Sequence, residues 1–251
     1  MVIIISIVSS AARPELWLDW YSCIGDNNID FEVVFVGPNT PDFILPDNFH
    51  FIKTDVKPTQ CWEIATRYAI GEYLVFLGDD IFFDTPNPLD KLYKTFISYN
   101  TEKLMLSCQF KQILSTHTRV YDLSGHKPEG TNIEDIILPS GFMLYKNYYR
   151  YLGGLDSNFI GLYWDLDLCF RVLEDNGITK LSDVWVAEQV IRCKESDSLY
   201  WSFGINDREE ILRGFWPTFN TTNELKRTKP IEPFLDYNIL TESQGPKGRW
   251  V

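Results

Sequence analysis

The sequence predicts an α/β domain: a mostly parallel central sheet with helices on both faces. Three observations carry that prediction. Short apolar, β-branched runs alternate with helical stretches from the N-terminus to about residue 108. The clearest runs end in Ser, Gly, Pro, Asn or Asp, the residues that turn a chain. The chain has 251 residues, 45% of them hydrophobic, enough to bury one large core.

Residues 1–8 form the first buried strand, bounded by Ser9 and Ser10. Pro14 suits a first helical position, and Leu16, Trp17, Trp20, Tyr21 and Ile24 repeat behind it at helical spacing. A second strand covers 31–36 and stops at Gly37, Pro38 and Asn39, and a short third one lies around 49–52. Residues 59–70 read as a helix, and 73–77 as the next buried strand, ending at Gly78, Asp79 and Asp80. Leu89, Leu92, Tyr93, Phe96 and Ile97 mark the cleanest amphipathic helix, followed by a strand at 104–108. Residues 110–135 carry weak periods and read as loops or a hairpin. Beyond them come a strand at 140–145, a short helix at 148–152, a helix at 165–175 stopped by Asn176 and Gly177, and a strand near 181–186. One domain over 1–212 is expected, with 213–251 as a loop-rich arm packed on or near it.

Twenty-three basic against 35 acidic residues leave a net charge of −12. Such a chain repels a nucleic-acid backbone, so no nucleic-acid partner is expected. An anionic small molecule would need a local device, such as a metal ion held by carboxylates. The five cysteines, at 23, 61, 108, 169 and 193, form no C-x-x-C pair. That spacing excludes a structural zinc site and points to a reducing compartment. The opening apolar run is too short for a transmembrane segment and lacks a basic flank, so a soluble cytoplasmic protein is expected. The 38 aromatic residues exceed what a core needs, and some are expected along a ligand cleft.

In a parallel α/β sheet, ligands bind beyond the carboxyl ends of the strands. Asp79 and Asp80 fall there. Two adjacent carboxylates suit a hard divalent ion completed by substrate phosphates, and equally a solvated turn or a helix cap. The second constellation is Gly153, Gly154 and Asp156, followed by Asp165, Asp167 and Arg171. Asp167 and Arg171 stand in the favourable i, i+4 order and read as a structural pair. Asp165 points elsewhere, at a helix start whose dipole favours an ionised carboxylate; it faces a cleft or is simply helix-start acidity. His50, His117 and His126 show no ligand spacing.

Taken in this order, these pieces resemble family 2 glycosyltransferases of the GT-A fold, over roughly residues 2–188. The matching residues are the first strand with Arg13 and Pro14, then Gly71, Glu72 and Tyr73 running into Gly78, Asp79 and Asp80, then Gly153 to Asp156 ahead of Asp165, Asp167 and Arg171. The resemblance implies a nucleotide-diphosphate-sugar donor, a divalent metal (Mn2+ or Mg2+), a glycan or other hydroxyl acceptor, and inversion. It makes Asp80 a metal ligand, Asp79 a helper at metal or ribose, and Asp165 the general base. Ser9, at the first strand's end, becomes a donor contact. Glu188 stands where the family often has a metal-binding histidine, and reads as a ligand or as a surface residue. Gly37, Pro38 and Asn39 replace the family's nucleobase-reading acids. The Lys247 and Arg249 tail reads as a pyrophosphate contact or a solvated tail. A sugar nucleotidyltransferase and a catalytically degenerate glycan- or nucleotide-binding module are the alternatives, and a dinucleotide oxidoreductase is excluded by the missing G-x-G-x-x-G turn.

Overall fold

The computed structural model describes residues 4–123, 137–190, 206–217 and 225–246. Strand β1 (Ile5–Ser10) is buried at all six positions and sits between two parallel neighbours, β2 (Phe31–Gly37) and β4 (Tyr73–Phe76). The edge strand β3 (Phe49–Lys53) pairs with β2, also in parallel. Beyond β4 the sheet becomes mixed. Strand β8 (Phe142–Tyr145) runs antiparallel to β4 and to β6 (Leu104–Ile113). Strand β9 (Ile178–Glu188) runs parallel to β6, and β5 (Ile81–Phe83) closes the edge antiparallel to β9. The order is β3-β2-β1-β4-β8-β6-β9-β5, with β7 (Thr118–Tyr121) folded back on β6 as a hairpin. The sheet is thus parallel in the half that carries β1 and β4. No helix among the described residues is long and apolar enough to cross a membrane.

Side-chain alternation divides the core between the two faces of the sheet. One face carries Val8, Val34, Leu74, Phe76 and Phe142 against helices α2 (Pro58–Tyr68), α4 (Lys146–Tyr151) and α5 (Trp164–Glu174). The other carries Ile7, Phe35, Val75 and Met143 against α1 (Pro14–Ser22) and α3 (Pro88–Ser98). Proline opens α1, α2 and α3, where its missing N–H costs nothing. In α1, Trp17 and Trp20 are fully buried, with ring centroids 5.3 and 4.7 Å from Phe35. The aromatic surplus expected along a cleft goes largely inward, since Trp17, Trp20, Trp62, Trp164 and Trp216 are all buried.

The chain leaves β1 towards β2 on one side, while β4 lies on the other, so the connections diverge between β1 and β4. That is the switch point at which an open α/β sheet opens a crevice. Gly37 ends β2 against the turn after β1. A Cβ there would stand 1.7 Å from the Ala11 carbonyl oxygen, so only glycine fits.

Candidate functional site

The turn after β4 is built from behind. The indole N–H of Trp20 donates to the carbonyls of Gly78 (3.0 Å) and Ile81 (2.9 Å), holding the Asp79-Asp80 turn against α1. Asp79 is almost completely buried. Its Oδ2 accepts the backbone N–H groups of Ala12 (2.8 Å) and Arg13 (2.7 Å) and the Trp17 indole N–H (3.2 Å), and its Oδ1 takes the Arg13 guanidinium at 2.7 Å. This carboxylate ties the end of β4 to the turn after β1 and presents no open face for a metal. Its contacts in this structure are all to the protein's own turn. Burial also separates Ser9 from the surface; its hydroxyl donates to the Ser10 carbonyl at 3.2 Å. Sequence reasoning placed both residues at the right strand ends and could not see what their side chains touch.

Asp80 remains partly exposed, with Arg13 Nη2 at 3.3 Å. Burial pushes its carboxyl up to about 7; Arg13 opposes the shift, while Asp79 and Glu188 add to it. Glu188 comes close because it pairs in register with Ile81 across β5 and β9, and Gln189 N–H donates to the Asp80 carbonyl at 3.0 Å. The Gln112 amide donates to Glu188 at 2.5 Å. Two carboxylates therefore converge. Their hard oxygens fit a divalent cation whose remaining ligands are phosphate and water, the arrangement that suits magnesium or manganese. No group of three His, Cys, Asp or Glu able to hold a metal occurs among the described residues. Of the histidines, His50 lies 3.6 Å from Glu32 on the far side of β2, and His126 is outside the described residues.

Asp165 opens α5. The residue before the helix, Tyr163, sits in the left-handed region (φ 59°), a strained conformation for an aromatic residue. Asp165 Oδ1 accepts the Leu166 N–H at 2.9 Å, and the side chain has no ion pair among the described residues. Burial raises its pKa to about 6, against the backbone N–H groups that lower it. Desolvation thus outweighs the helix-start N–H groups in setting the pKa, and the carboxyl still ionises below neutral pH. Its neighbour Trp164 packs on Phe76 of β4 (5.7 Å) and on Trp62 (5.0 Å), so the start of α5 is anchored to the strand that leads into Asp80.

Asp167 behaves as expected and does more. Arg171 Nε lies 2.9 Å from Oδ2, while Oδ1 accepts the Trp216 indole N–H at 2.8 Å and Arg227 Nε at 3.2 Å. Arg227 also reaches Asp156 at 2.5 Å. Asp207, fully buried, accepts the successive N–H groups of Ile160, Gly161 and Leu162 at 2.8–3.1 Å. Gly154 (φ +72°) passes so close to Glu63 that a Cβ would meet its Oε2 at 2.9 Å. Arg227, Asp207 and Trp216 escaped the sequence reading, for they lie in stretches without period or motif. The Lys247 and Arg249 tail lies outside the described residues.

Solved structures share this architecture. A crystal structure of S. aureus TarS 1-349 matches 83% of this chain with a TM-score of 0.55 at 14% identity. Its complex with UDP-GlcNAc matches 80% (TM-score 0.53, 15% identity) and its complex with UDP 83% (0.54, 14%). The chain thus shares the fold of TarS. The chain spans 64–67% of that fragment and 40% of the longer TarS structure. No family model and no curated protein sequence matches.

Proposed function

We propose that this chain is a nucleotide-sugar-dependent glycosyltransferase that moves a hexose-type sugar to an acceptor hydroxyl, on a glycan or a comparable alcohol, with inversion. One observation carries the reading. Two partly exposed acids with raised pKa, Asp80 and Asp165, stand on segments joined by the Phe76–Trp164 contact at the switch-point end of the sheet. The TarS fold, seen in that protein with UDP-GlcNAc and with UDP, supports it.

In this reading the donor diphosphate lies over the turn after β4, and its nucleoside against the turn that follows β1. Asp80 and Glu188 would hold a divalent cation, manganese or magnesium, which when bound neutralises the diphosphate as it departs. Asp79 acts at one remove, fixing Arg13 and the turn beneath. Asp165 accepts the proton of the acceptor hydroxyl as that oxygen attacks the anomeric carbon. The bond from the anomeric carbon to the diphosphate oxygen breaks, its electron pair leaves with the nucleotide diphosphate, and the configuration inverts. A carboxyl titrating near 6 is ionised at neutral pH yet basic enough to take that proton.

The test is incubation with a panel of labelled nucleotide sugars, with manganese, with magnesium and with chelator. Metal-dependent transfer or donor hydrolysis that Asp165→Asn abolishes is the expected result. Binding without turnover across the panel would make the protein a nucleotide- or glycan-binding module instead.

A further inference from the structure

Resting on Asp165 as the proposed base, we infer that Arg227 and Asp207 are positioning residues for it: segments far along the chain set the loop that delivers Asp165. The loop runs from Asp156 to Tyr163. Lys57 on the Ser157 carbonyl, the Ser157 N–H on the Glu232 carbonyl (2.8 Å) and the Thr59 N–H on the Ile160 carbonyl (3.0 Å) hold its first half, and three side chains from distant segments hold the part that leads into α5. Arg227 grips both flanks, with Nη2 on Asp156 Oδ2 (2.5 Å) and Nε on Asp167 Oδ1 (3.2 Å). Its guanidinium stacks 4.3 Å from the Phe215 ring, and Nη1 donates to the Lys229 carbonyl at 2.7 Å. Asp207 gathers the middle of the loop through three consecutive N–H groups. Trp216 braces Asp167 from the same side.

Asp156, Asp167 and Asp207 are each fully buried, and Arg227 is 5% exposed at its side chain. A buried cation bridging two buried carboxylates holds one geometry and tolerates little displacement. Between these fixed points the chain must enter α5 through the left-handed Tyr163, whose carbonyl accepts the Asp167 N–H at 3.0 Å. Asp165 lies two residues beyond that kink and two before the clamp. It carries no ion pair of its own among the described residues, so its direction is set by the backbone on either side. Lysine's donors all sit on one nitrogen and cannot reproduce the separation of Nε and Nη2 that lets Arg227 meet both carboxylates at once.

The experiment compares wild type with Arg227→Lys and, in case that variant fails to fold, Asp156→Asn, which removes one carboxylate charge and leaves Arg171 and Trp216 on Asp167. Hydrogen exchange at amides 160–166 should accelerate by about tenfold or more while β1 and β4 amides keep their protection. The Asp165 carboxyl, followed by 13C NMR titration, should move down toward the ordinary carboxylate range as water reaches it. Where transfer is measurable, kcat should fall by roughly 10- to 100-fold with the donor KM within about twofold, as for a displaced catalytic group. Unchanged exchange at 160–166 and an unmoved Asp165 titration in a folded variant would overturn the proposal. A uniform rise in exchange across the sheet would do the same, since it marks general destabilisation. Were wild type itself inert with every nucleotide sugar, the proposed function would fall, and exchange and titration would still decide whether the clamp positions Asp165.

Discussion

Replacing Asp165 by asparagine should make the protein more stable and less active at once. The folded carboxyl keeps its proton up to about pH 6, whereas in the unfolded chain it ionises near 3.8. Above pH 6 the native state therefore holds a charge that water would have solvated better. The difference between those two values corresponds to about 3 kcal/mol, and the partial exposure of the side chain trims this to about 2–3 kcal/mol. Asparagine retains an oxygen for the Leu166 N–H and never carries the charge. Below about pH 4 both proteins hold a neutral group and should melt together; between about pH 4 and 6 the variant should gain, levelling off above 6 at a melting temperature roughly 4–12 °C higher for a chain of this size. Transfer should meanwhile fall by about 10²–10⁴. The assay is a set of thermal melts from pH 4 to pH 8 beside turnover with donor in excess. A variant that melts lower than wild type at pH 8, or whose advantage does not grow with pH, would refute the view that burial of this charge opposes folding.

Asp167→Asn should go the other way: leaving Arg171 and Arg227 facing a neutral amide costs about 3–5 kcal/mol, read as a lower melting temperature. Asp80→Ala should abolish manganese-dependent binding of a nucleoside diphosphate in titration calorimetry while the melting curve stays cooperative; equal affinity with chelator would remove the metal from this site. Gly37→Ala should fail to yield folded protein, because the Ala11 carbonyl occupies the space of the new methyl group; a soluble, cooperatively melting variant would show that the turn after β1 can move. In wild type, kcat should decline as pH drops through about 6, where Asp165 gains its proton, and a flat profile from pH 5 to pH 8 would exclude that residue as the base.

The parallel half of the sheet was legible because its strands are buried on both faces and read as unbroken β-branched runs: Ile5, Ile7 and Val8, or Val33, Val34 and Val36. Strand β5 was not, since three residues after two aspartates carry no period. Strand β9 proved longer at both ends than 181–186, because its partly exposed positions weaken the apolar run without breaking the ladder. The site divides along similar lines. Spacing alone paired Asp167 with Arg171, four residues away, as a helix turn dictates. Nothing local could place Arg227 against Asp156, 71 residues distant, or Asp207 under Ile160. The raised pKa of Asp165 escaped the sequence for a related reason. A helix start is visible in sequence, whereas the depth at which the side chain is sealed depends on what packs around it.

Behind the acidic turn, two indoles act as built-in observers. Trp17 and Trp20 donate their ring N–H protons to Asp79 and to the Gly78 and Ile81 carbonyls, so each proton reports the electron density of the turn from the side away from solvent. A cation or diphosphate arriving from the front would polarise those acceptors, and the indole resonances would shift without any label near the ligand. Because α1 is wedged between this turn and the rings of β2 and β3, the response would be electronic more than conformational. Occupancy of the crevice would then be measurable from two peaks in an otherwise crowded spectrum.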